Sequence, residues 1–350
     1  MTANPLLDAG RLPESQQNFG FFAVDLPTRR IHYPPTYMAA NPNPLPISVL
    51  LTEHEIAGQF ADALARGYLG EQFFYWLPLS VEAWVALCRS PEYRNADRAL
   101  TLLSRAAPRL AELWPAVDTL CGLGCGEGSK DRVLLDAFSH PLYVACDFSQ
   151  GLLELALTRA VPAARAVHGF KLDIDSDQHL AAVAAAVHDW GCSAVFTVLG
   201  NTLGAFDPDR FPARLRRVMR STDRVLFDGE IFAGDETLRG YDHPTNRRFA
   251  FAPLASLGLA ESDGELRFEL RPGSAGLHEV VKYFVPARDL DLNVAGRELR
   301  LRKDDPLRMS SSLKYDEPAF FERIERGGFR VEFSEKSDDG RFVLAAAKAI

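Results

Sequence analysis

From residue 117 onward apolar positions alternate between two periods. Short apolar runs at 117–121, 142–146, 167–174 and 193–199 read as strands. Between them the apolar residues fall at helical spacing: from Ser129, which can cap a helix carrying Val133, Leu134 and Leu135 on one face, over 150–160, and through an alanine-rich stretch ending at Trp190. A helix over 208–219 and a strand over 224–227 lead into Asp228-Gly229-Glu230. Strands alternating with helices predict a parallel sheet covered on both faces, with ligands at the C-terminal strand ends. Asp147, Asp173, Asn201 and Glu230 all fall at such ends.

The flanks follow other patterns. Residues 1–48 are proline-rich, with one expected strand at 21–25; from Thr52, an N-cap candidate with Glu55 three residues on, helical spacing runs with breaks to about 113. This part holds Phe73-Phe74-Tyr75-Trp76 and Trp84, a run that reads as core or as aromatic faces for a sulfonium or ammonium group. Over 237–308 alternating runs at 265–271, 278–285 and 298–303 predict an antiparallel insertion. A helix over 318–327 and strands over 329–333 and 342–347 then predict a reversed hairpin at the edge of the sheet.

Composition narrows the class. The 350 residues are 47% apolar and 25% charged, those of a soluble globular protein with length for one large or two small cores. No apolar window is long enough to span a membrane and the N-terminus lacks the features of a secretory signal, so a cytoplasmic protein without a membrane partner is expected. Cys88, Cys121, Cys125, Cys146 and Cys192 lack zinc-ligand spacing and read as reduced core residues, and no metal is expected. A net charge of −8 argues against a nucleic-acid partner, and the cluster Arg214, Arg216, Arg217 and Arg220 reads as a solvated helix face.

The glycine-rich stretch 122–128 sits between the first strand and its helix. It departs from G-x-G-x-x-G, since the third glycine falls on Glu127 or Ser129. The wider constellation is more specific. Gly124-Cys125-Gly126 allows close backbone approach, Asp147 after the second strand suits ribose hydroxyls, and Asp173 after the third suits an adenine amino group. No Ser/Tyr/Lys or His pairing for hydride transfer follows, so S-adenosylmethionine is expected and not a nicotinamide dinucleotide. Lys130 can pair with the methionyl carboxylate, or stand as an exposed first-turn lysine.

Four segments carry a family resemblance: Pro91-Glu92-Tyr93 with Arg98-Ala99-Leu100; Gly124-Cys125-Gly126 with Lys130; Leu199-Gly200-Asn201-Thr202-Leu203-Gly204; and Ser310-Ser311-Ser312-Leu313-Lys314-Tyr315. Over about residues 70–350 the chain resembles the histidine-specific Nα-methyltransferases of the ergothioneine pathway and their fungal relatives that N-methylate prenylated tryptophan. The resemblance implies cofactor contacts from Tyr75, Gly124, Lys130, Asp147, Asp173 and Ile174, to which Gly126 and Gly200 are added from the two glycine-bearing turns. It places Tyr93, Tyr241, Ser310 and Ser312 toward substrate, with the insertion as a lid; Asn201 joins them as a polar amide where the sheet opens.

Three departures stand out: Ala205 where histidine-specific enzymes place Asn, Ser310-x-Ser312 where they have Glu-x-Ser, and Gly122 where an acid is usual. A hydroxyl in place of an acid loses a charge-assisted hydrogen bond to an imidazole, about 1.5–3 kcal/mol. The expectation is therefore a Rossmann-like class I methyltransferase sheet with helices on both faces, an N-terminal helical segment and an α+β substrate insertion. Its parts are 1–94 (substrate side or lid), 95–236 (S-adenosylmethionine-binding core), 237–308 (insertion) and 309–350 (rest of the core). The expected activity is N-methylation of an amino acid, amine or related natural-product intermediate other than histidine, with Glu230 and Tyr241 orienting the amine or accepting its proton. O-methyl or other alkyl transfer, or a decayed binding module, are the alternatives. The protein is expected as a monomer or homodimer with a small-molecule substrate.

Overall fold

The computed structural model describes residues 45–350; the strand expected at 21–25 lies outside them. Strand β1 (Ile47–Val49) leads into helix α1 (Glu53–Ala65). The helix opens with a capping box: Thr52 N–H donates to Glu55 at 2.8 Å and Glu55 N–H donates back to the Thr52 hydroxyl. Strand β2 (Tyr68–Leu69), one tight helical turn (Glu71–Phe74) and helices α2 (Pro78–Cys88) and α3 (Arg94–Leu113) follow.

The predicted alternation comes next: β3 (Thr119–Leu123), α4 (Ser129–Ala137), β4 (Leu142–Asp147), α5 (Gln150–Ala160), β5 (Ala166–Lys171), α6 (Asp177–Trp190), β6 (Ala194–Val198), α7 (Phe211–Val218) and β7 (Arg224–Glu230). Helices α8 (Asp235–Arg239) and α9 (Pro244–Ala255) precede β8 (Gly264–Pro272), β9 (Leu277–Pro286), β10 (Leu290–Val294), β11 (Arg297–Leu301) and β12 (Leu307–Tyr315). Helix α10 (Glu317–Arg326) and strands β13 (Phe329–Lys336) and β14 (Phe342–Ala349) end the chain.

The large sheet has eight strands in the order β1-β5-β4-β3-β6-β7-β14-β13. Its first six are parallel, while β14 runs antiparallel to β7 and β13 antiparallel to β14, which is the reversed hairpin edge the sequence predicts. Both faces are covered, so the strands read as unbroken apolar runs. Cys121 and Leu123 of β3 and Val343, Ala345 and Ala347 of β14 join one buried cluster; Leu120, Leu344 and Ala346 join the other. This is a Rossmann-like α/β sheet. The parallel addition of β1 beside β5 lies within the stretch read from sequence as irregular.

A second sheet, β2-β12-β9-β8, packs the insertion against the N-terminal helices through a third buried cluster that includes Phe60, Phe73, Phe74, Phe249, Phe284 and Met309. Strand β12 continues this sheet across residue 309, the expected start of the last core segment. A bulge between Met309 and Ser311 holds Ser310 at φ +53°. Two further expectations are corrected. Helix α4 is capped by Gly128, at φ +79°, and not by Ser129, which is already the first residue of the helix. Cys121, Cys125 and Cys146 are buried, but Cys88 is half-buried and Cys192 exposed, since the latter follows the end of α6 instead of lying in a strand. Among the described residues no helix is long and apolar enough to cross a membrane.

Candidate active site

A cavity of about 490 Å³ opens at the C-terminal ends of β3 to β6, where the parallel strands stop and their loops diverge. On its first side stands the glycine-rich turn. Gly124 takes φ +71°, a conformation that disfavours any side chain, and a Cβ there would also stand 3.1 Å from Thr202 and 3.7 Å from Ile174. The backbone of this turn is therefore bare toward the cavity. Asp147, at the end of β4, is buried; its Oδ2 accepts from Gly126 N–H at 2.9 Å and from the Cys125 thiol at 3.9 Å, and its Oδ1 accepts from Ser149 N–H at 2.9 Å and keeps a lone pair for a ligand hydroxyl. Burial pushes its pKa up to about 6, against those backbone donors.

Asp173 and Ile174 line the cavity after β5, and burial raises Asp173 above the usual carboxylate range. Lys130, in the first turn of α4, lies with Nζ 3.2 Å from where a Cβ on Gly200 would sit, which ties the glycine-rich turn to the loop after β6. That loop is fixed by Asp228, which accepts from Gly200 N–H (2.8 Å) and Asn201 N–H (2.7 Å). Gly126 and Gly200 line the same cavity. Next to this half stands an aromatic wall: Tyr75, Trp84, Tyr93 and Phe249, with Trp84 centroids 5.1, 6.0 and 5.3 Å from the other three rings. The indole nitrogen of Trp84 is 3.9 Å from the Cβ position of Gly126, which sets aromatic faces beside the turn.

The same cavity is lined by Tyr93, Asn201, Tyr241 and Ser312, with Ala205 at the position where histidine-specific relatives are expected to carry an amide. Asn201 is at φ +60° and both ends of its amide are engaged: Oδ1 accepts from Glu230 N–H at 3.0 Å and Nδ2 donates to Ser312 Oγ at 3.1 Å and to the Leu313 carbonyl at 3.3 Å. Its place is to join β7 to β12.

Two expected site residues do not line the cavity. Ser310 is wholly buried in the bulge of β12, where the extra residue turns it out of the row that carries Ser312, and among the described residues its hydroxyl has no hydrogen-bond partner. Glu230 stands behind the cavity wall. Its Oε2 accepts from Asn95 Nδ2 (2.6 Å), Tyr241 OH (3.0 Å) and Lys314 Nζ (2.9 Å). Three donors converge on this one oxygen, which makes the carboxylate the counter-ion of Lys314. Tyr241 stays protonated: burial, then the Glu230 charge, push its phenol well above the normal range. Its hydroxyl is fixed between two groups, donating to Glu230 and accepting from Lys314 Nζ at 2.6 Å.

Sequence reasoning missed Lys314, Asn95, Asp228, Asp131 and Lys282. For Lys282 a signal exists: it interrupts the apolar row Val280–Phe284 on β9. Asp131 is buried on α4 and accepts from Tyr143 OH (2.7 Å) and Thr197 OH (3.0 Å). Its Oδ2 lies 2.5 Å from where a Cβ on Gly122 would be. A carboxylate from the helix thus occupies the space beside the glycine that stands in the place of the usual acid; spacing along the chain shows nothing of this.

The donor set fits an adenosyl sulfonium: a buried carboxylate for a sugar, a second acid for a base, and, for a carboxylate-bearing tail, bare backbone and the Lys130 ammonium, which makes no hydrogen bond among the described residues. The comparisons agree. Residues 65–248, more than half of the chain, match the family described as histidine-specific methyltransferase, SAM-dependent. A histidine N-alpha-methyltransferase of Mycobacterium tuberculosis is 28% identical over 171 residues, covering 47% of this chain and 51% of that protein. The N-methyltransferase fsqC of Aspergillus fumigatus is 22% identical over 285 residues, covering 75% of each chain. The N-methyltransferase dtpB of Aspergillus flavus is 23% identical over 273 residues, covering 70% of this chain and 74% of its own. The chain thus spans about half the length of the mycobacterial relative and about three quarters of the fungal ones. With the sheet order, the glycine-rich turn and the two strand-end acids in place, the chain belongs to the histidine-specific, S-adenosylmethionine-dependent methyltransferase family.

Proposed function

We propose that the protein transfers a methyl group from S-adenosylmethionine to the nitrogen of a small acceptor, an amino acid, amine or related natural-product intermediate other than histidine. When bound, the donor supplies an electrophilic methyl carbon: the C–N bond forms from the nitrogen lone pair, the C–S electron pair stays on sulfur, and the nitrogen gives up a proton. The observation that carries the reading is one cavity lined by Gly124, Lys130, Asp147 and Asp173 together with Tyr93, Tyr241 and Ser312.

The residues present divide the work. Asp147 and Asp173 hold the nucleoside by accepting hydrogen bonds, and Lys130 holds the carboxylate of the tail. Tyr75 and Trp84 favour a sulfonium over their faces, and Phe249 packed against both excludes water. Tyr241, with its hydroxyl fixed by Lys314 and Glu230, has a remaining lone pair to orient an acceptor N–H. Neither Tyr241 nor Glu230 takes the proton, so the amine enters neutral or releases its proton to water. Rate enhancement then rests on alignment. Histidine is disfavoured because the β12 wall presents the Ser312 hydroxyl with the Lys314 ammonium 2.8 Å behind it, where an imidazole calls for an acid.

Calorimetry with S-adenosylmethionine and S-adenosylhomocysteine tests the donor half, with saturable heat expected for both. Mass analysis after incubation with single amino acids and amines tests the acceptor half; an N-linked methyl is expected. Absence of heat with both nucleosides sinks the reading, and an oxygen-linked methyl replaces its acceptor half.

A further inference from the structure

The cavity contains a second ammonium that the methyl-transfer reading leaves without a task. Lys282 is 2% exposed and lies on β9 in the row Val280, Lys282, Phe284, whose other two members are core. Antiparallel partners share a face, so the pairings Val280↔Ser312 and Lys282↔Met309 put Lys282 on the same side of the second sheet as Ser312 and Lys314. Like Ser312, it lines the cavity.

A buried ammonium is kept only where its charge is met. Among the described residues Lys282 Nζ makes no hydrogen bond. Its carboxylate neighbour is Glu71, whose Oε2 stands 3.8 Å away, too far for a hydrogen bond, and accepts none from any described residue. The other oxygen of Glu71 is taken by Tyr75 OH at 3.1 Å. Beneath Nζ lie the rings of Phe74 and Phe249, at 4.9 and 5.4 Å. These rings steady the charge but leave the N–H donors unused. The contrast with Lys314 is sharp, since that ammonium is wholly buried and spent on Glu230, Tyr241 and Ser312.

We infer that Lys282 is the specificity-determining anchor for a carboxylate on the acceptor, so that the acceptor is a free amino acid or an amino-acid derivative with its carboxyl group unblocked. The inference deepens the proposed N-methylation and rests on it. A carboxylate supplies two strong acceptors to idle N–H donors and gives a partner to a charge that Glu71 meets only at a distance. With the acid end on Lys282, the amino end is left for Tyr241, which lines the same cavity. Carboxamides, esters and plain amines fill the same space without answering the charge.

Thermal-shift measurements on the protein saturated with S-adenosylhomocysteine, against each of the twenty common amino acids and its carboxamide, test this. At least one free acid should raise the midpoint while its carboxamide raises it at least fivefold less. In Lys282→Met, which keeps length and packing on Phe74 and Phe249, the shift should vanish; in Lys282→Arg, which keeps the charge, part of it should remain. Equal shifts for acid and carboxamide, a shift retained in Lys282→Met, or no shift with any of these compounds overturns the inference. Should Lys282→Met not fold, the acid–carboxamide comparison on the unaltered chain decides alone. Calorimetry of S-adenosylhomocysteine on the unaltered chain separates this failure from failure of the methyltransferase reading, which removes donor binding itself.

Discussion

Lys314 Nζ lies 2.9 Å from Glu230 Oε2, with neither side chain more than 7% exposed, and the hydroxyl of Tyr241 bridges the two. The pair makes the strand-end acid the support of a hydroxyl. Burial pulls the Lys314 ammonium below the usual lysine range and Glu230 opposes that pull, so the charges are kept only together.

Removing one partner should therefore cost more than removing both. Breaking a buried pair on one side costs about 3–5 kcal/mol, whereas replacing both partners by apolar groups is often close to neutral. Glu230→Gln should lower urea stability by roughly that amount, and Glu230→Gln with Lys314→Met should recover at least half of it. A loss below ~1 kcal/mol in the single variant would show that Glu230 is not the counter-ion.

Tyr241→Phe removes the hydroxyl and leaves the ring. Acceptor kcat/KM should fall about 10- to 100-fold, the worth of one hydrogen bond to a polar or charged group, with donor affinity unchanged. Because the Tyr241 phenol sits well above its ordinary range, the pH–rate profile should show no tyrosine ionisation below pH 10. A comparable loss of S-adenosylhomocysteine affinity would instead place Tyr241 on the donor side.

Donor binding should weaken in acid. Burial pushes Asp147 up to about 6, and ribose hydroxyls favour its ionised form, so protons and donor compete. Asp228, also pushed to about 6, accepts from the loop amides of Gly200 and Asn201 and adds to the effect. Affinity for S-adenosylhomocysteine should drop up to about tenfold per pH unit below 6, and Asp147→Asn should bind 10- to 100-fold more weakly at pH 7.5 with a flatter pH dependence. Stability of the unliganded chain has the opposite sign. A carboxyl raised in the fold favours folding at low pH, and this contribution is lost as pH rises through about 6. The unaltered chain should accordingly lose urea stability relative to Asp147→Asn between pH 4 and 7.

Gly128→Ala should destabilise by about 2–4 kcal/mol, since it combines φ +79° with a Cβ 2.7 Å from Ala156 Cα. Gly258→Ala carries φ +86° with nothing within 4 Å and should cost only about 1–2 kcal/mol. Similar losses at both sites would show that α5 does not press on the turn.

The Asp131 carboxylate and the bare Gly122 should behave as one unit. Gly122→Asp alone sets two acids in one buried space, and Asp131→Ala alone strips Tyr143 and Thr197 of their acceptor. Each should cost ~2 kcal/mol or more, while the two together should cost less than their sum, because the new carboxylate takes the vacated place. Additive losses in urea titrations would show the sites to be independent.

The alternation of short apolar runs with helical stretches was enough to call for a parallel sheet, because a strand covered on both faces has no polar side to hide. The same reasoning placed Gly124, Asp147 and Asp173 together, since parallel strands bring their C-terminal ends to one edge however the helices pack. Tertiary structure alone decided the rest. Whether Glu230 is a base depends on Lys314 and Asn95, which reach it from other elements. Whether Ser310 faces the cavity depends on one bulge in β12. Whether Gly122 marks a lost acid depends on Asp131, nine residues along but in contact through the turn of a helix. Burial, pairing and charge are properties of what surrounds a side chain, and that is set by long-range packing which spacing along the chain does not encode.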